Sequence, residues 1–182
     1  MGKIRHFSSK AIFLDRDGTI IEDRGTLGSP SQVVFFNETF TALRQVVNDY
    51  LIFIITNQQC IAEGAVSRQQ VDRVNRHVCC ILENEGIPIK EIYVCPHKKE
   101  DMCGCRKPQP YYLHKASQDY QIDLSSSFVI GDHPSDTLCA ANAGAQGIYV
   151  LTGHGEKHRS DLASETLVVP GIDDAIANIL KQ

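Results

Sequence analysis

Five short apolar runs punctuate the 182-residue chain, and each gives way to polar or small residues. Ala11–Leu14 ends at Asp15, Leu51–Ile55 at Thr56, Ile92–Val94 at Cys95, Phe128–Ile130 at Gly131-Asp132, and Gly147–Leu151 at Thr152-Gly153. Runs this short, bounded by polar punctuation and without polar alternation, predict strands buried on both faces.

Helical periodicity fills the intervals. Residues 37–48 carry Phe40, Leu43, Val46 and Val47 at helical spacing. Ser67 is placed to cap a helix running to about Asn84, with Val71, Val74, Val78, Ile81 and Leu82 on one side and Gly86 as its stop. Pro110–Tyr120, Pro134–Asn142 and Ile172–Leu180 complete the helical set. Strands alternating with helices predict an α/β architecture, a Rossmann-like parallel sheet covered by helices on both faces. Ligands of such sheets bind beyond the carboxyl ends of the strands, where Asp15, Thr56, Cys95 and Asp132 all fall.

Composition narrows the class. With 42% hydrophobic and 22% charged residues, the chain reads as one ordinary globular domain spanning 1–182. A net charge of −4 with no basic run argues against nucleic-acid binding, and no segment is apolar enough to span a membrane. The first residues, Met1-Gly2-Lys3-Ile4-Arg5-His6, hold charge but no apolar stretch, so no export signal is read and the expected compartment is the cytoplasm. Nothing in the sequence asks for more than a monomer.

The seven cysteines are unevenly placed. Cys60, Cys79, Cys80 and Cys139 fall in apolar or helical settings and are expected to be small buried side chains. Cys95, Cys103 and Cys105 cluster with His97 in a C-x-H…C-x-C pattern, a donor set for one tetrahedral zinc. Four protein ligands leave no open position for water, so this zinc is expected to be structural. Arg106 and Lys107 follow at once, a basic pair suited to a phosphate.

The strand tips carry the rest of the chemistry. Asp15-Arg-Asp17-Gly-Thr sets two carboxylates where one can attack phosphorus and the second can protonate a leaving oxygen. Gly18 would permit the turn that brings them together. Asp132 beside Asp15 would form an all-oxygen Mg²⁺ site. Asp136 reads either as support for that site or as a first-turn acid on its helix, the latter favoured. Thr56-Asn57-Gln58 offers a hydroxyl and backbone amides to a phosphoryl oxygen. Taken singly, each feature also has an ordinary loop or turn explanation.

In sequence order, D-x-D-G-T, T-N, K and G-D-x-x-x-D resemble the motif series of the haloacid dehalogenase superfamily, over almost the whole chain. The zinc loop at about 95–105 and Leu151-Thr-Gly-His-Gly155 resemble its capless, zinc-containing branch of heptose bisphosphate and histidinol-phosphate phosphatases. The resemblance implies Asp15 as nucleophile and Asp17 as general acid/base. It also implies Mg²⁺ on Asp15, Asp132 and the Asp17 carbonyl, and a phosphoryl group held by Thr56 and Lys107 with Asn57 nearby. Arg106 is implied to contact the remainder of the substrate, and no cap domain is expected. The implied activity is Mg²⁺-dependent hydrolysis of a small phosphorylated metabolite, heptose 1,7-bisphosphate first and histidinol phosphate as the alternative. A non-catalytic zinc protein binding a phosphorylated ligand is the reading from another class, and the intact Asp15/Asp17 pair argues against it.

Three departures bear on the substrate. Glu63 stands where the branch usually carries arginine, His133 where a stronger base is common, and the 22–34 loop, expected to shape the leaving-group pocket, lacks the usual tyrosine.

Overall fold

The computed structural model describes residues 9–182, so the reading of the extreme N-terminus lies outside the described residues. All five apolar runs are strands: β1 (Lys10–Leu14), β2 (Tyr50–Asn57), β3 (Ile89–Cys95), β4 (Phe128–Gly131) and β5 (Gln146–Val150). A sixth, β6 (Leu167–Val169), completes one parallel sheet ordered β3-β2-β1-β4-β5-β6. It escapes the apolar-run pattern because it is a three-residue edge strand cut short before Pro170.

Alternate residues of β1 serve opposite layers. Ile12 and Leu14 pack with β2 residues Ile52 and Ile54, with Val74 and Val78 of α2 (Arg68–Asn84), and with Ile172 and Ile176 of α5 (Ile172–Ile179). Ala11 and Phe13 face Phe53, Leu113 and Ala116 of α3 (Tyr111–Tyr120), and Ala140 of α4 (Pro134–Ala143). Both sheet faces are therefore dry, as the continuous apolar runs require. Each fully buried Leu, Ile or Phe contributes about 1.5–3 kcal/mol, so the strands are anchored by this two-sided burial.

Local signals account for the helix ends. Ser67 caps α2, with its hydroxyl accepting from Gln70 N–H and the Gln70 side chain returning to Ser67 N–H. The helix stops at Glu85, before Gly86 at φ +78°. The 37–48 helix is a correction: only α1 (Thr39–Leu43) is helical. Beyond it the chain closes on short bonds such as Gln45 N–H to Ala42 O and Asp49 N–H to Val46 O, because β2 starts at Tyr50 and leaves no room for another turn. Cys80 is a second correction, being exposed on α2 opposite the stripe formed by Val71, Val74, Val78 and Leu82. Cys79 is half-buried, while Cys60 and Cys139 are buried as expected.

The strand order reverses between β1 and β4, the place where open α/β sheets leave a crevice at their carboxyl ends. Among the described residues no crossover carries a second folded unit over that crevice. No helix of the described residues is long and apolar enough to cross a membrane.

Candidate active site

The reversal brings the tips of β1 and β4 side by side. Asp15 N–H donates to Ile130 O at 2.9 Å, extending the ladder one step past the strands. Asp15, Asp132 and Asp136 then offer carboxylate oxygens that all lie within 4.8 Å of one another. The backbone closes tightly on this group. Gly18 has φ +84°, and a Cβ there would stand 2.1 Å from Asp132 Oδ2, so only glycine fits the turn between Asp17 and Thr19. Opposite it, His154 N–H donates to Asp132 Oδ2 at 2.7 Å and Thr152 Oγ1 donates to Gly18 O at 2.6 Å. The Thr152–Gly155 segment is thereby pinned to the Asp15–Gly18 turn.

One ammonium faces these acids. Lys107, 5% exposed, donates to Asp15 and to Ile55 O at 2.8 Å, and its Nζ lies 2.7 Å from Asp136 Oδ1. Burial opposes its charge, but Asp136 and Asp15 outweigh burial and hold the ammonium above its usual range. Burial likewise drives Asp15 well above the carboxylate range; Lys107 opposes this, while Asp136, Asp132 and Asp17 add to it. Burial pushes Asp132 up to about 7, against the His154 N–H bond. Carboxylates this crowded and dry are short of positive charge, and a hard divalent cation with oxygen ligands suits them. The donor set therefore fits Mg²⁺.

Asp136 holds the expected first-turn place on its helix and also supports the site. It accepts from His133 N–H at 3.0 Å, completing a capping box, and it is 1% exposed and paired with Lys107. Asn57 serves Lys107 from the other side: its Oδ1 accepts from Lys107 N–H at 3.1 Å and its amide donates to Lys107 O at 3.3 Å. Asn57 thus fixes the backbone that carries the lysine.

Asp17 stands apart from the three-carboxylate group. Its Oδ2 accepts from Arg16 Nη2 at 2.7 Å and from Gln58 Nε2 at 2.7 Å, and Gln58 also donates to Thr56 Oγ1 at 2.8 Å. No motif in the sequence names Arg16 or the Gln58 side chain as part of the site. Gln58 had a signal in its place beside Thr56 at a strand tip, but Arg16 meets its other partner, Asn75, 59 positions along the chain.

The zinc-loop donors come together. Cys95 Sγ lies 3.6 Å from Cys103 Sγ and 3.4 Å from Cys105 Sγ, and His97 Nδ1 lies 3.7 and 3.5 Å from Cys95 and Cys105. Tetrahedral ligands at zinc distances are separated by roughly 3.5–3.8 Å, whereas a disulfide would need about 2.05 Å. The donor spacing fits one zinc. Beside it, Arg106 donates to His97 O at 3.2 Å and to Gln59 Oε1 at 3.0 Å, so its guanidinium joins the metal loop to the loop after β2.

Asp15, Asp17, Thr56, Lys107, Asp132 and Asp136 line a cavity of about 880 Å³. Asp23 and Thr26 enter it from the 22–34 loop, with Glu63, Arg106 and His133 in its wall. His133 Nδ1 lies 3.2 Å from Ser135 N, and burial with His158 and Lys107 nearby holds the imidazole below its ordinary range despite Asp136.

A family model described as HAD-hyrolase-like matches residues 104–175. The D-glycero-beta-D-manno-heptose-1,7-bisphosphate 7-phosphatase of Helicobacter pylori strain J99 is 35% identical over 147 residues, covering 80% of this chain and 84% of that protein. The histidine biosynthesis bifunctional protein HisB of Actinobacillus pleuropneumoniae serotype 3 is 32% identical over 160 residues, 86% of this chain but 44% of that protein. Among solved structures, the D,D-heptose 1.7-bisphosphate phosphatase from B. bronchiseptica complexed with magnesium and phosphate superposes with a TM-score of 0.87 at 28% identity, over 94% of this chain and 98% of that one. The chain belongs to the haloacid dehalogenase-like hydrolases, within the group that holds the heptose-1,7-bisphosphate 7-phosphatases.

Proposed function

We propose that this protein is a phosphatase that hydrolyses D-glycero-D-manno-heptose 1,7-bisphosphate at its 7-phosphate through an aspartyl-phosphate on Asp15. The observation that carries the reading is the meeting of Asp15, Asp132 and Lys107 at the β1–β4 crevice, with Asp17 two residues away on a separate support. The relatives named for this substrate, and the neighbour solved with magnesium and phosphate, support it.

Asp15 is the nucleophile: its carboxylate oxygen attacks phosphorus while the ester P–O bond breaks. Lys107 and the Thr56 hydroxyl receive the transferring phosphoryl oxygens, with Asn57 holding the lysine in register. Asp17 gives a proton to the departing alkoxide and later takes one from the water that cleaves the aspartyl-phosphate, so the enzyme returns unchanged. Asp15 and Asp132 would hold Mg²⁺, with the Asp17 carbonyl as a further donor; when bound it supplies the positive charge a phosphate dianion needs among these carboxylates. Cys95, His97, Cys103 and Cys105 would hold a structural Zn²⁺ that keeps Arg106 and Lys107 in place. Arg106 would meet the distal part of the substrate. The described residues, 9–182, form one catalytic domain in this reading.

Histidinol phosphate is the second substrate reading, favoured by one observation: acidic Glu63 shares with Arg106 the wall where a second phosphate would call for cations. Phosphate release from both compounds with Mg²⁺, compared between wild type and Asp15→Asn, tests the proposal. The expected result is turnover of the bisphosphate by wild type and none by the variant. Faster turnover of histidinol phosphate would replace the substrate assignment, and equal rates for the two proteins would remove the mechanism.

A further inference from the structure

Asp17 is held by more apparatus than a turn requires. Arg16 is the largest fully buried side chain, 1% exposed. Its Nε lies 3.1 and 3.2 Å from the two Asp17 carboxylate oxygens, its Nη2 2.7 Å from Oδ2, and its Nη1 2.6 Å from Asn75 Oδ1. Asn75 is itself a buried polar residue on the inner side of α2, between the core residues Val74 and Val78. An arginine leaving a strand tip ordinarily runs its stem along the surface and keeps its head in water. Here the head is turned inward, and burying an ion pair in this way brings little net stability. On the other side, Gln58 joins Asp17 Oδ2 to Thr56 Oγ1.

We infer that Arg16, oriented by Asn75, is a positioning residue for the proton-transfer half of the reaction, with Gln58 coupling the same carboxyl to the phosphoryl-holding hydroxyl. The inference rests on the aspartyl-phosphate reading above. In the first step the Asp15 oxygen–phosphorus bond forms, the ester P–O bond breaks, and the Asp17 proton moves to the leaving oxygen, giving a neutral alcohol and an Asp17 carboxylate. The guanidinium is already in place where that negative charge develops. In the second step water attacks phosphorus, the Asp15 oxygen–phosphorus bond breaks, and Asp17 takes the water's proton. Arg16 touches neither phosphorus nor leaving group. It sets where the proton-bearing carboxyl stands, and Asn75 carries that setting back to α2.

Leaving-group dependence reads this role apart from folding. Nitrophenolate departs without a proton, whereas a sugar alkoxide does not, and kcat/KM reports only the steps through phosphoryl transfer to Asp15. Asn75→Leu and Arg16→Lys are assayed with Mg²⁺ on the bisphosphate and on p-nitrophenyl phosphate, with folding checked by circular dichroism. Roughly a 10- to 100-fold fall on the sugar phosphate is expected, with the aryl phosphate within about threefold of wild type. Should Arg16→Lys not fold, Asn75→Leu, which keeps the Arg16 side chain but removes the group that orients it, carries the test. Parallel losses on both esters would make the network structural only, and no loss on either would overturn the inference. A wild type inactive on both esters would overturn the aspartyl-phosphate reading first.

Discussion

Lys107 Nζ stands 2.7 Å from Asp136 Oδ1 with both side chains nearly dry, and the same ammonium donates to Asp15. This one cation sets the electrostatic balance of the site, because three carboxylates converge where it ends. A buried ion pair adds little when intact and costs much when one partner is removed.

Lys107→Met therefore leaves two buried carboxylates uncompensated. The metal-free protein should lose about 3–5 kcal/mol in urea unfolding, and phosphate release should fall by roughly 10²–10³. Unchanged stability would mean that Lys107 does not balance Asp15 and Asp136.

Asp132→Asn should act the opposite way on stability. Burial raises the Asp132 carboxyl to about 7, and Asp15 is raised as well, so the folded state holds protons that the unfolded state releases near pH 4. By linkage, stability from these groups is full below that point and is lost as pH rises through about 7. Metal-free wild type should thus weaken between about pH 4 and 7 and recover on adding Mg²⁺. Asp132→Asn should flatten the pH dependence, raise metal-free stability by roughly 1–3 kcal/mol and lose the Mg²⁺ response. Thermal melts across pH, with and without Mg²⁺, check both effects.

Gly18→Ala tests the turn. A Cβ there meets the Asp132 carboxylate at 2.1 Å and forces an unfavourable φ of +84°. A loss of about 1–3 kcal/mol in stability and a drop in Mg²⁺ affinity are expected, the second measured by calorimetry. Wild-type Mg²⁺ affinity would show that the turn does not set the acids.

Removing a zinc ligand should separate metal content from the Mg²⁺ site. Elemental analysis should find about one zinc per chain in wild type and none in Cys103→Ser, with a loss of several kcal/mol in stability and weaker substrate binding through Arg106. A zinc-free wild type of equal stability would contradict the structural role.

Much of this was legible in the sequence, because strands buried on both faces announce themselves as apolar runs and end where a parallel sheet binds its ligands. All five such runs are strands, and Asp15, Thr56, Lys107 and Asp132 meet at one crevice. What stayed hidden depends on contacts that no local pattern encodes. Arg16 finds Asn75 across 59 positions, and Asp136 looks like an ordinary first-turn acid until Lys107 is seen against it. Asn57 proved to serve the lysine's backbone, a pairing of residues 50 positions apart. The shortness of α1 and the existence of the edge strand β6 escape the pattern because both are set by neighbouring elements rather than by local periodicity.

Acid-quenched single turnover, followed by peptide mapping, tests the central claim most directly. With Mg²⁺ and heptose 1,7-bisphosphate, a covalent phosphoryl group should appear transiently on the peptide containing Asp15 and decay as inorganic phosphate forms. Phosphate formed at the full rate with no phosphorylated peptide at any quench time would contradict it.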